Sequence, residues 1–351
     1  MSSSRGRSIP RYGMLYKLAA IGSVAVALVS GCGSSDGGSA TGSDGKKLTT
    51  LTVSAAFFGP ANVPMFYAQA KGYFAEQGLN VRLVTASSNS QLASVLGGSV
   101  QFASTSTLNV IKAAKNGAKF VNFMPVLVGY SEDVIMSKKA YAAAGLNANS
   151  TPKEKIAALA DKKLGVISAT GENSVIFKYL FKYAGIPESR LHMVQLGTPQ
   201  AIVGALRRGS IEGTNVGSPY PANAVSGGYA EYLFRSPLKD IPPMNSALTQ
   251  TLATTENYYN SNRDTIKKFI AGYQKGVAAM VKDPTGTATF VAKKDFADQP
   301  FDNFMKSFEA DFKVIAKDTA MTAAQKDALK QIAQGAGQEI PANWDSFFVT
   351  P

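Results

Sequence analysis

Residues 51–84, LTVSAAFFGPANVPMFYAQAKGYFAEQGLNVRLV, and residues 164–196, LGVISATGENSVIFKYLFKYAGIPESRLHMVQL, carry the same order of signals about 110 residues apart. In the first, residues 51–55 read as a strand and Phe58-Gly59-Pro60-Ala61-Asn62 breaks it. A helical pattern then runs over 64–76, and 81–84 is strand-like again. In the second, 164–167 is a strand, 168–173 a turn and 175–183 a helix. Gly185 supplies the stop and 191–196 is the next strand. Each is a strand–helix–strand unit of the kind that builds a parallel sheet.

The echo continues outward from both. Gly98-Ser99-Val100-Gln101 follows a short helix from Gln91, and Gly209-Ser210-Ile211-Glu212 follows one from Gln200. FASTSTLNV and GTNVGSPYPANAV then each turn a strand end into a polar loop and another helix. Two copies are too few for a solenoid and suit two similar α/β lobes. Ligands in such sheets bind beyond the carboxyl ends of the strands, which places a site at four polar loops. Past Tyr232, prolines 237, 242 and 243 mark a connection. Residues 247–254 read as a strand returning to the first lobe, and from Arg263 the chain is helical: Ile266, Phe269, Ile270, Tyr273 and Val277 recur at helical spacing. Further helices are expected near 301–316 and 323–333.

The N-terminus has a different composition. Arg5, Arg7, Arg11 and Lys17 precede an apolar run over 18–29, too short for a membrane span and of the size of a secretory h-region. It ends in Val29-Ser30-Gly31-Cys32, which resembles a bacterial lipobox, cut before the lipidated cysteine. Cys32 is the only cysteine in the 351-residue chain, so no internal disulfide is available. The Gly, Ser, Asp and Thr residues that follow form a flexible polar tether. Loss of residues 1–31 removes four basic residues and no acidic one, lowering the formal net charge from +12 to +8. The remaining basic pairs are scattered, and none is interleaved with aromatics as in nucleic-acid binders.

Catalytic chemistry is sparse. His192 is the single histidine, so a His/Cys metal site has no ligand set and a serine–histidine triad would rest on that residue alone. The loop 168–173 lacks the lysine and spacing of a P-loop. Asp295, Asp298, Asp302 and Glu309 read as a solvated helical face. What is present is hydroxyls and free amides at helix starts: Gly59 and Asn62 before the helix at Pro64; Ser104, Thr105, Ser106 and Thr107 before the one at Leu108; Ser168, Thr170, Gly171, Asn173 and Ser174 before the one at Val175; Ser218 and Tyr220 in the fourth loop. Such helix starts favour anions, and Ser, Thr and Asn are also the ordinary N-cap residues.

Four stretches, VPMFYAQAKGYFAEQGLNVRLV, LADKKLGVISATGENSVIFKYLFKYAGI, QAIVGALRRGSIEGTNVGSPY and LATTENYYNSNRDTIKKFIAGYQKGVAAMVKDP, resemble the substrate-binding proteins of ABC importers of the nitrate/sulfonate/taurine type, a family that includes pyrimidine-precursor binders. The resemblance covers about residues 48–318. It implies a two-lobed type II periplasmic-binding fold with a two-segment hinge near 124–136 and 233–249. The expected division is a lipoprotein signal peptide (1–31), a tether (32–47), lobe 1 (48–130 and 236–351) and lobe 2 (131–235).

It further implies a monomer, lipid-anchored at the extracytoplasmic face of the cell membrane, that closes on a ligand and presents it to permease subunits, with no cofactor and no nucleic acid. The expected ligand is a small organic anion of the alkanesulfonate kind. Phe57, Phe58 and Tyr220 are candidates for contact with its apolar tail. Two departures bear on this: Gly217-Ser218-Pro219 lacks the aromatic and acidic residues many relatives place before that proline, and FFGPANVP lacks the Trp and His associated with pyrimidine-precursor binders. A pyrimidine or thiamine precursor or nitrate remains the alternative ligand, and an enzyme on the same fold the alternative class.

Overall fold

The computed structural model describes residues 47–350 apart from 56, 57, 87 and 237. The signal segment, Cys32, most of the tether and Phe57 therefore lie outside the described residues.

Strand β1 (Thr49–Ala55) leads through a short turn at Pro60–Asn62 into helix α1 (Val63–Ala70), then β2 (Leu79–Thr85), α2 (Ser88–Leu96), β3 (Phe102–Ser106), α3 (Thr107–Lys115) and β4 (Phe120–Val128). The helical pattern expected to reach residue 76 stops at Ala70. Gly72, at φ 74°, takes the left-handed conformation that ends the run.

The chain then crosses to a second sheet. Its elements are β5 (Asp133–Ser137), α4 (Lys138–Ala143), α5 (Pro152–Ala157), β6 (Lys163–Val166), α6 (Glu172–Ala184), β7 (His192–Gln195), α7 (Pro199–Arg207), β8 (Gly213–Val216), α8 (Tyr220–Ser226) and β9 (Ala230–Phe234). It returns as β10 (Leu248–Thr255) and finishes in helices α9 (Glu256–Ser261), α10 (Arg263–Lys282), α11 (Pro284–Asp295), α12 (Phe301–Asp311) and α13 (Ala323–Gly335).

The two sheets have one topology. Their orders are β2-β1-β3-β10-β4 and β7-β6-β8-β5-β9. In each, four strands run in one direction and the fourth in order, β10 or β5, runs antiparallel to the neighbours on both its sides. The fourth strand of each sheet is donated across the crossing, β10 by the chain returning from the second sheet and β5 by the chain arriving from the first. This is the two-lobed α/β architecture expected from the repeat, with the exchange at residues 129–132 and 235–247.

The two crossings hold each other. Gly129 N–H donates to Ala247 O at 2.7 Å and Tyr130 N–H to Met244 O at 3.1 Å. Ser236 N–H donates to Asp133 Oδ1 at 2.7 Å. Gly129 has φ 96°, and a Cβ there would lie 2.9 Å from the Asn245 carbonyl oxygen, so this close approach requires glycine.

One apolar core forms between the first sheet and helices α1, α10, α11 and α12, with Phe102, Phe123, Phe269 and Tyr273 among its buried rings. A second surrounds α6 with Leu164, Val166, Phe177 and Leu180. The C-terminal helix packs on α6 of the second lobe as well as on β10 of the first sheet: Leu329 and Ile332 of α13, with Trp344 and Phe347, lie in the cluster that holds α6. The sequence assigned α13 to the first lobe. The apolar stripe of an amphipathic helix identifies a buried face without saying which neighbour covers it. Among the described residues no helix is long and apolar enough to cross a membrane.

Candidate ligand-binding cleft

Four loops leave the carboxyl ends of the parallel strands β1, β3, β6 and β8, two from each sheet, and all four line one cleft of about 1020 Å³. The pairing of loops follows from the shared topology, because the same strand positions in both sheets end on the same side.

In the loop after β1, Gly59 N–H donates to Asn62 Oδ1 at 3.1 Å. Asn62 is 4 % exposed, and its Nδ2 has no hydrogen-bond partner. Beyond β3 the expected loop is shorter than its sequence suggested: Ser104, Thr105 and Ser106 are the last residues of the strand and α3 begins at Thr107. Gln250 Nε2 donates to Ser104 Oγ at 2.9 Å and Gln91 Nε2 to Ser104 O at 3.3 Å. Ser106 occupies the N-cap position of α3 but does not cap it with its side chain.

In the second lobe Thr170 N–H donates to Ser168 Oγ at 3.3 Å, and Ser174 Oγ to Ser168 O at 2.7 Å. Gly171 is the N-cap of α6 and has no side chain to cap with. Ser218 and Tyr220 complete the lining, with burial raising the Tyr220 phenol above its usual pKa.

Two expected residues have different roles from the rest. Asn173 lines the cleft, but its amide is already engaged: Nδ2 donates to Asn215 O at 2.9 Å and Oδ1 at 2.8 Å, while Asn215 Nδ2 donates to Asn173 O at 2.8 Å. It clamps α6 to β8. Phe58 does not line the cleft. Its ring packs edge-on against Phe66, 5.4 Å between centroids, inside the first core. An aromatic beside a polar loop reads equally as core or contact until the packing of α1 is known.

The lining also contains three carboxyl groups that sequence reasoning passed over: Glu132, Glu172 and Asp311. Glu132 sits in the first crossing, Glu172 is the first residue of α6, and Asp311 is the last residue of α12. No sequence spacing connects them, because each comes from a different segment of the chain. The carboxylates singled out instead were exposed at 298, 302 and 309, and Asp295 is half-buried beside Lys294. Among the described residues Lys112 is the only basic one lining the cleft.

Burial is the first cause that raises all three. It lifts Glu132 to about 7, opposed by backbone amides and helped by the neighbouring charge of Asp133. Glu172 is raised by burial and then by Glu132, with the Ser106 hydroxyl pulling the other way. Asp311 is raised by burial and then by Asp133 and Glu132, opposed by the Ala61 amide. Asp133, immediately beneath, is lifted to about 6 by burial against the Ser236 amide, Arg235 and Lys313. His192 lies away from this site, exposed, with Nε2 3.9 Å from Asp161 Oδ1.

The sequence over residues 60–287 matches the family described as NMT1/THI5 like. The chain belongs to that family. None of the curated proteins matches it. Several solved structures share its fold. The ligand-binding component of an ABC-type import system from Staphylococcus aureus, with zinc bound, aligns with a TM-score of 0.67 at 14 % identity, covering 86 % of this chain and 97 % of that one. The periplasmic aliphatic sulphonate binding protein SsuA from Escherichia coli aligns at 0.62 and 17 % identity, covering 81 % and 90 %. The periplasmic nitrate-binding protein NrtA from Synechocystis PCC 6803 aligns at 0.62 and 15 % identity, covering 86 % of each.

Proposed function

We propose that this family member is the extracytoplasmic solute-binding component of an ABC importer, taking a small polar organic molecule between its lobes and delivering it to permease subunits. The observation that carries the reading is the convergence of four strand-end loops, two per lobe, on one cleft that also contains a buried amide and a buried carboxyl oxygen without partners. Buried polar atoms are normally paired, so unpaired ones in a cleft suit a ligand. The neighbours' stated roles in import, sulphonate binding and nitrate binding support the same class.

An organic anion is supported by the free amides at the start of α3 and by Lys112. It is opposed at the start of α6, where Glu172 already occupies the first turn. A thermal-shift panel of alkanesulfonates, nitrate, small carboxylates, pyrimidines and amines tests the class, since a bound solute raises the melting temperature without being consumed. Turnover of a stabilising solute would replace the importer reading with the enzyme one.

The lipid anchor at Cys32, after removal of residues 1–31, belongs to the same proposal. Cys32→Ala should abolish lipid labelling and processing at this site. A variant that still runs as a cleaved, lipid-labelled species would end that part of the reading.

A further inference from the structure

Three separate parts of the chain bring a carboxyl group to the same cleft. Glu132 comes from the crossing, Glu172 from the second lobe and Asp311 from the first. Glu132 raises the pKa of both Glu172 and Asp311, so it stands close enough to repel each of them. Among the described residues none of the three has a salt bridge. Like charges gathered without a counter-ion are costly in a site partly withdrawn from water. A second observation is independent of that charge. Asn62 is 4 % exposed and lines the cleft with a partnerless Nδ2, while Asp311, 6 % exposed, has a partnerless Oδ1. The turn at Pro60–Asn62 packs against α12, so a free donor and a free acceptor flank one region.

We infer that Glu132, Glu172 and Asp311 form the recognition site for a protonated nitrogen of the transported solute, so that the chain captures an organic amine or amidine rather than an organic anion. The solute supplies the missing counter-charge and hydrogen-bond donors to the carboxylates. An acceptor atom beside its nitrogen meets Asn62 Nδ2. Because the carboxyls come from both lobes and from the crossing, the same cation draws the lobes together. The inference rests on the solute-binding reading and specifies the charge of what is bound.

The test uses the mature soluble domain and small probes of opposite charge: butylamine, 1,4-diaminobutane and benzamidine against butanesulfonate and butyrate. Melting curves and titration calorimetry are run on the wild type, Glu132→Gln and Glu172→Gln at pH 5 to 8. At least one nitrogenous probe should raise the melting temperature while the anions do not. Each Gln variant should weaken it roughly ten- to a hundredfold, the usual loss for a hydrogen bond to a charged partner.

Amine affinity should also fall as pH drops below about 7, because Glu132 must release its proton. Asp133 beside it raises Glu132, and Glu132 in turn raises Glu172 on α6, Asp311 on α12 and the Tyr130 phenol in the crossing. Both variants remove charge from a repelling cluster and should stay folded, which circular dichroism checks. Stabilisation by butanesulfonate or butyrate alone overturns this inference and leaves the importer reading standing. No shift from any amine overturns it as well, and silence across the wider solute panel overturns both.

Discussion

At the scale of single residues, the cleft separates side chains that hold the fold from those left free. Asn173 is of the first kind, its side-chain amide donating to Asn215 and its backbone carbonyl accepting from Asn215 Nδ2 across α6 and β8. Asn173→Ala strands the buried Asn215 Oδ1, while Asn215 Nδ2 keeps the residue-173 backbone carbonyl, and one unsatisfied buried group costs about 1–3 kcal/mol. We expect a melting temperature lower by several degrees; an unchanged one would mean the pair is replaced by water. Glu132 and Asp133 give a pH signature.

Their folded-state values, about 7 and about 6, lie above the unfolded ones, so the native state holds the protons more tightly. That stability is complete below the unfolded values near 4 and is lost as pH rises through 7. For Glu132 it amounts to roughly 1–3 kcal/mol after allowing for its partial contact with cleft water. Ligand-free protein should therefore melt higher at pH 5 than at pH 8, with a smaller difference in Glu132→Gln. A flat or rising profile would contradict the burial of these acids. The hydroxyl and glycine positions of the loops were readable because they follow strand ends in a repeated unit. The acids were not, since residues 132, 172 and 311 become neighbours only after both crossings are made.

At the scale of elements, periodicity located the helices and folding chose their partners. The stripe Ile266, Phe269, Ile270, Tyr273, Val277 and Met280 is buried on α10 as its spacing demands. What the stripe does not show is how near α1 comes. Gly276 lets the Pro64 carbonyl approach so closely that a Cβ there would lie 2.2 Å from its oxygen. In an open helix Gly→Ala stabilises by about 1 kcal/mol. At this position the obstruction is backbone, so Gly276→Ala should instead destabilise by roughly 1–3 kcal/mol.

Gly204 on α7 is the contrast, since the nearest atom to its Cβ is the mobile Arg208 Nη1 at 3.3 Å. Gly204→Ala should leave stability equal or raised. Equal responses of the two variants in denaturant melts would refute the close-packing argument. The same limit explains α13 and β10. Each was visible as an element, but the placing of α13 on α6 and of β10 between β3 and β4 depends on the exchange between sheets.

At the scale of the whole molecule, two chain segments connect the sheets, and they are bonded to each other rather than independent. The hydrogen bonds from Gly129 to Ala247, Tyr130 to Met244 and Ser236 to Asp133 make one narrow joint. We propose that relative rotation of the lobes is concentrated there, as in a hinge. Beside the joint, the core around α6 also takes in Leu108 and Ile111 of α3 and Leu329 of α13, so the lobes pivot about a packed contact.

The carboxyls that line the cleft from both lobes oppose closure when they are ionised and the cleft is empty. A cationic solute reverses that sign. Its binding can shift the lobes only by the difference in its affinity for open and closed forms, and bridging contacts to Glu172 and Asp311 supply such a difference. Small-angle scattering at pH 8, with and without a solute shown to raise the melting temperature, should give a smaller radius of gyration in the bound state. The decrease should shrink in Glu172→Gln, which loses the second lobe's carboxylate. An unchanged radius on saturation would mean that the cleft takes its ligand without moving the lobes, and the crossing segments would then be a fixed strut.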